Sequence, residues 1–233
     1  GWYADGYWWN TVGSWQPVPW RFPNGIKEIF DHIRARGMVP GIWLELEVMG
    51  VNCPILEQFT DECFFMRHNR RVIDHGRYQL DFRSEKVRAF ATEVIDRVVK
   101  EYGVGYIKMD YNIDGGVGTE VAADSFGDGL LQHNRAYLAW LEEMMDKYPG
   151  LMIENCASGG MRMDYAMLGQ LSLQSMSDME EYEKMIPIAA DAATAVLPEQ
   201  AAIWSYPRAH ESDNTIAGNM VNSMLLRMHL SGE

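Results

Sequence analysis

Cysteine is scarce in this chain: Cys53, Cys63 and Cys156 are the only three in 233 residues. An odd number without paired spacing gives neither a disulfide framework nor a zinc site, and it points to a reducing compartment. Positive charge is also short. Twenty Lys and Arg face 33 Asp and Glu, for a formal net charge of −13. Phosphates repel such a surface, which argues against nucleic acid or an anionic membrane as a partner and suits a neutral ligand such as a sugar. No apolar run approaches the roughly 18 to 20 residues that span a bilayer. Nor is there a Pro/Ser-rich linker or low-complexity tract, so one domain over residues 1–233 is expected. The chain opens at "GWYADGYWW" with neither Met nor a signal-like segment, and reads as a piece of something longer.

What is present is a β-α rhythm. Apolar, β-branched runs at 38–47, 77–82, 104–110, 151–158, 171–178 and 200–206, with a last at "HLSG", read as strands. Between them lie amphipathic helical stretches. In "NGIKEIFDHIRARG", Ile26, Ile29, Phe30 and Ile33 share one face and Gly37 is positioned to end the helix. Ser84 is positioned to cap "SEKVRAFATEVIDRVVKEYG", whose stripe runs through Val87, Phe90, Ala91, Val94, Ile95 and Val98. Such alternation predicts a parallel sheet. At this length the expectation is a (β/α)8 TIM barrel, α/β in class, incomplete at its first strand and last helix. An open doubly wound sheet is the rival, but no glycine-rich phosphate turn follows an early strand.

"GVGYIKMDYNIDGG" (103–116) admits three readings: a calcium loop, a phosphate cradle, or a strand delivering a carboxylate. The D-x-N-x-D-G pattern starting at Asp110 needs a bidentate Glu at its twelfth position. That position is Val121, with Glu120 one residue early, and a β run precedes it where an EF-hand needs a helix. No Lys-Ser/Thr follows the glycines as a phosphate loop requires. The strand reading remains, with Lys108 and Asp110, two apart, on one face.

In a barrel, strand C-termini build the active face. The polar residues there are Glu45, Glu47, Asp81, Lys108, Asp110, Asn112, Asn155, Cys156, Ser158, Ser177, Asp178 and Tyr206. A lone strand-end Asp is most often a helix cap. Asp110 and Asp178 on different strands, with Lys108 beside one of them, shift the balance toward chemistry. A nearby cation keeps a nucleophilic carboxylate ionised. Paired carboxylates are what glycoside hydrolysis requires, and of the eight tryptophans Trp43, at a strand end, is the best candidate to stack on a sugar face. Six scattered histidines without H-E-x-x-H give no support to a metal, and no G-x-S-x-G marks a serine nucleophile.

The blocks "GWY", "GSW", "FPNGIKEIFDHIRARGMVPGIWLELEVM", "GRYQLDF", "YIKMDYN", "ENCASGGMRMDYAML" and "SMSDMEEYE" resemble, in order, those of glycoside hydrolase family 36, the α-galactosidases or melibiases. The resemblance implies Asp110 as nucleophile and Asp178 as acid/base. It implies Lys108, Arg77, Trp43, Asn112, Cys156, Gly159 and Arg162 as substrate-binding residues. It also implies α-galactoside oligosaccharides as substrates, no cofactor or metal, and a possible homo-oligomer in the bacterial cytoplasm. The sequence departs from the family where E-P-E reads Glu45–Leu46–Glu47, and where Met179–Glu180–Glu181 follow Asp178, which bears on leaving-group preference. The family's pair of aspartates that grips the sugar 4- and 6-hydroxyls lies before "GW", upstream of Gly1. An isolated piece lacking it is therefore expected to be weakly active. Rival functions are an α-N-acetylgalactosaminidase or a galactosyltransferase of the same family, a catalytically silent sugar-binding barrel, and a calcium module.

Overall fold

A computed structural model describes residues 2–3 and 6–231. Its contacts group into two compact units: Gly1–Ile107 with Tyr111–Leu151, and Lys108–Asp110 with Met152–Glu233. No described helix is long and apolar enough to cross a membrane.

In the first unit a short helix α1 (Trp8–Thr11) precedes α2 (Lys27–Ala35), which buries Phe30. Gly37 ends α2 as the sequence predicts: at φ +77° its N–H reaches Arg34 O, while Met38 N reaches Ile33 O, closing the last turn. Strand β1 (Gly41–Leu44) follows, shorter than the 38–47 expected. Three short strands, β2 (Val48–Gly50), β5 (Ile73–Asp74) and β6 (Arg77–Gln79), form an antiparallel sheet in the order β2-β6-β5. Between them β3 (Met66–Arg67) pairs with β4 (Arg70–Arg71).

Residues 77–82 are therefore not the parallel strand that the sequence suggests. Positive φ at both His75 (47°) and Gly76 (74°) makes a two-residue hairpin turn, which forces β6 back along β5. Helix α3 (Glu85–Asp96) buries Val87, Ala91, Val94 and Ile95 and runs into a wider turn at Arg97–Glu101. Ser84 occupies its N-cap position, but its hydroxyl makes no capping bond and faces Cys63 Sγ at 3.7 Å. Strand β7 (Tyr106–Met109) begins beside β1, where Gly105 N and Tyr106 N both reach Pro40 O. The long helix α4 (Phe126–Lys147) starts at Ser125, whose hydroxyl accepts from Asp128 N, and it buries Tyr137 and Trp140 against Phe82.

The second unit is the βα alternation itself. After the end of β7 come β8 (Met152–Asn155), α5 (Tyr165–Gln170), β9 (Leu173–Ser175), α6 (Tyr182–Ala192), β10 (Ala201–Ser205), α7 (Asp213–Ser223) and β11 (Arg227–Leu230). The pairs β8–β9, β9–β10 and β10–β11 are parallel and follow chain order, each joined through a helix. Asp164 caps α5 by accepting from Ala166 N and Met167 N. Ala192, Val196 and Ala201 form a core with Met163, Leu168, Met176 and Leu226 packed on it. The α/β class is as expected.

Candidate active site

The loops that leave the C-terminal ends of β7, β8, β9 and β10 carry Asp110, Cys156, Asp178 and Tyr206. Asp110, one residue past β7, is buried with 6% of its surface exposed, and its Oδ1 accepts from Ser158 N at 3.3 Å. Lys108 Nζ, on the same strand, lies 3.9 Å from Glu154 Oε1, 4.0 Å from Asp178 Oδ1 and 4.8 Å above the Trp204 ring. Asp178 follows β9 with its side chain half-exposed. The structure thus brings Asp110, Lys108 and Asp178 into one charged group, as the spacing of the strand ends suggested.

The loop after β8 is shaped to meet Asp178. Ser158 (φ 45°) and Gly159 (φ +86°) are both left-handed, and Ala157 N bonds to Gly159 O at 2.8 Å. A Cβ at Gly159 would lie 2.6 Å from Ser177 Cα and 3.1 Å from Asp178 N, so only glycine lets the loop touch the strand end that bears Asp178. Cys156 is wholly buried and its Sγ accepts from Gly159 N at 3.4 Å. Burial, reinforced by Asp110, pushes its thiol up to about 12, so it is a neutral wall and not a nucleophile. Arg162 is half-buried, and its carbonyl accepts from Asn155 Nδ2, which also donates to Gln174 Oε1 at 2.6 Å.

The surrounding charges act on Asp178 and Lys108 in opposite senses. Partial burial raises the pKa of Asp178; Lys108 opposes the rise and Asp110 adds to it. Burial works against the Lys108 charge, yet Cys156, Glu154, Asp178 and Asp110 together hold its pKa above the ordinary lysine value. Tyr206, past β10, is pushed up to about 12, first by burial and then by Asp178, and stays a neutral phenol. A carboxyl whose pKa is raised keeps its proton to a higher pH than a free aspartate, as a general acid requires.

Three predicted residues belong to the first unit. Trp43 stacks on Tyr3 (5.7 Å between centroids) and meets Trp8 edge-on, lining with Trp2 a recess of about 260 Å³. Arg77 has none of its surface exposed. It donates to both Glu45 oxygens at 3.1 and 3.0 Å, lies 3.8 Å over the Trp9 ring, and donates to Asn112 O. Asn112 N in turn donates to Glu45 Oε1, so the Glu45–Arg77 pair grips both polar groups of one peptide position. Glu47 and Asp81, also singled out at strand ends, are equally internal. His133 reaches Glu47 Oε2 at 3.0 Å while Phe82 N donates to its Nδ1, so the ring carries its proton on Nε2. Arg83 donates to both Asp81 oxygens.

Sequence reasoning passed over Glu154, Trp204 and His229. Glu154 lies inside β8 with 1% exposure, and Trp204 and His229 are register partners on β10 and β11, their rings 4.9 Å apart. The one signal was a charged residue amid the apolar run "LMIEN".

This is an α/β protein whose parallel strands carry two carboxylates and a lysine at their C-terminal ends. The Melibiase family model matches residues 1–231, and the chain belongs to that family. It is 27% identical over 178 residues to alpha-galactosidase 2 of Pediococcus pentosaceus, covering 74% of this chain and 24% of that protein. It is 23% identical over 157 residues to alpha-galactosidase Mel36A of Lactobacillus acidophilus, covering 66% and 21%. The chain therefore spans about a fifth to a quarter of the length of the curated relatives it matches. Among solved structures, an engineered form of alpha-galactosidase AgaA from Geobacillus stearothermophilus in complex with 1-deoxygalactonojirimycin superposes with a TM-score of 0.89. That likeness is at 18% identity and covers 100% of this chain and 33% of the other. A further AgaA variant, solved in complex with raffinose, has a TM-score of 0.87 at 17% identity over 100% and 33%.

Proposed function

We propose that the chain is the catalytic part of a retaining α-galactosidase, a (β/α)8 barrel in its full form, that releases terminal α-linked galactose from oligosaccharides by double displacement. Asp110 attacks the anomeric carbon while Asp178 gives its proton to the glycosidic oxygen. Asp178 then takes a proton from the water that releases the sugar. Lys108 orients the sugar hydroxyls by charge-assisted hydrogen bonds. Asp178 must begin protonated, and its raised pKa fits that need.

The observation that carries the reading is the Asp110–Lys108–Asp178 group at the ends of β7 and β9, in a chain of the melibiase family. The relatives named α-galactosidases, and the neighbour bound to raffinose, support the substrate class. The test uses the full-length protein that contains this chain, assayed on p-nitrophenyl α-galactoside and its N-acetyl analogue. Preference for the galactoside, with losses of several orders of magnitude in Asp110→Ala and Asp178→Ala, supports the reading. Unchanged turnover in Asp110→Ala refutes the mechanism, and preference for the N-acetyl sugar refutes the substrate.

A further inference from the structure

Glu154 is a buried carboxylate that the mechanism above does not use. It lies inside β8, one strand over from Lys108, with 1% of its surface exposed and Oε1 3.9 Å from the Lys108 ammonium. The same ammonium reaches Asp178 at 4.0 Å, so the two carboxylates share one cation and lie no more than about 8 Å apart. On the far side His229 Nδ1 stands 3.8 Å from Glu154 Oε1. Burial holds the His229 pKa below the ordinary value, so at neutral pH the ring brings no compensating charge.

We propose that Glu154 is a positioning residue for the acid/base: it draws the Lys108 ammonium toward β8 and offsets its charge, so that Lys108 pulls less strongly on the proton of Asp178. This inference rests on the acid/base role proposed for Asp178. The charged and titratable groups that act on the lysine are Asp110 just past its own strand, Glu154 of β8, Cys156 just past β8, and Asp178 after β9. His229 of β11 feels both Lys108 and Glu154, with Arg227 acting on it from the same strand, while Tyr206 after β10 feels Asp178, Glu180 and Cys156. Cys156 and Tyr206, both at about 12, stay neutral through the working range. Glu154 is thus the buried acidic side chain beside Lys108 that lies outside the Asp110–Lys108–Asp178 group.

The sign follows from charge alone. Glu154→Gln keeps the shape and deletes the negative charge, so Lys108 acts on Asp178 unopposed and stabilises its ionised form. A charge removed at about 8 Å in a medium of effective dielectric between about 20 and 80 lowers the Asp178 pKa by roughly 0.4 to 1.5 units. The alkaline limb of kcat/KM against pH, which reports loss of the acid proton, moves down by that amount. Glu154→Asp retains the charge but retracts it by one methylene, so its limb falls between wild type and Glu154→Gln.

The experiment records pH–rate profiles of the full-length protein as wild type, Glu154→Gln and Glu154→Asp. In parallel it follows carboxyl titration by infrared difference spectra with 13C-labelled aspartate, using Asp178→Asn as the blank. The expected result is a downward shift in both readouts, ordered Gln, Asp, wild type. If Glu154→Gln does not fold, Glu154→Asp alone carries the test through its smaller shift. Variants whose limb and Asp178 band titrate with wild type overturn the proposal. A wild type without galactosidase activity refutes the functional reading instead, and the infrared titration still decides whether Glu154 governs Asp178.

Discussion

Gly159→Ala isolates the contact between the loop after β8 and the strand end bearing Asp178. The new Cβ would stand 2.6 Å from Ser177 Cα, 3.0 Å from Ser177 N and 3.1 Å from Asp178 N, all of them backbone atoms that cannot swing aside. Ordinary contact begins near 3.4 Å, so loop and strand end must part by about 0.8 Å in a close-packed interior. Alanine at φ +86° adds about 1 to 2 kcal/mol of backbone strain. Displacing a reacting group by about 1 Å costs on the order of 100-fold in rate. The expected variant is folded, less stable by about 2 kcal/mol, and lower in kcat by between about 10- and 100-fold, with KM little changed. Denaturant midpoints and steady-state kinetics on p-nitrophenyl α-galactoside measure both. Gly150→Ala, where a Cβ meets nothing within 4 Å, is the control. A Gly159→Ala enzyme with wild-type kcat refutes the claim that this approach positions Asp178.

Glu45→Gln leaves the fully buried Arg77 guanidinium without its carboxylate and is expected to cost about 3 to 5 kcal/mol in urea unfolding; a loss below about 1 kcal/mol contradicts the clamp on Asn112. Asp96 offers a pH test of stability. Burial would raise its pKa, but bonds from Lys147, Tyr148 and Lys100 hold it at about 2, below its unfolded value. Its contribution is therefore present above about pH 4 and is lost as pH falls toward 2. Asp96→Asn should melt lower than wild type at pH 7, with the difference closing over that window.

How much of this was legible in the sequence divides along the two units. In the second unit each strand meets its sequence neighbours in parallel, so apolar run, helix and next run translate directly into β8 to β11. The strand-end positions of Asp110 and Asp178 were readable for the same reason. Residues 77–82 failed because a strand pattern does not name its partner: the left-handed His75–Gly76 turn decided the pairing, and nothing apolar signals a turn. Ser84 had the right identity for a cap, yet its hydroxyl turns toward Cys63 instead of the helix. Arg77 was assigned from resemblance, and its burial against Glu45 and Trp9 is a tertiary fact that no local pattern carries. Glu154 was overlooked because a charge within an apolar run looks like a tolerated exception until Lys108 and His229 are seen beside it.

The nucleophilic role of Asp110 is the claim on which the others depend, and chemical rescue tests it most directly. Full-length protein carrying Asp110→Ala, given an activated α-galactoside and sodium azide, should regain turnover and yield the β-galactosyl azide, since the small anion attacks from the vacated face. An Asp110→Ala enzyme that turns over like wild type without azide, or one that azide leaves inactive while Asp178→Ala is the variant it rescues to the β-azide, contradicts the account.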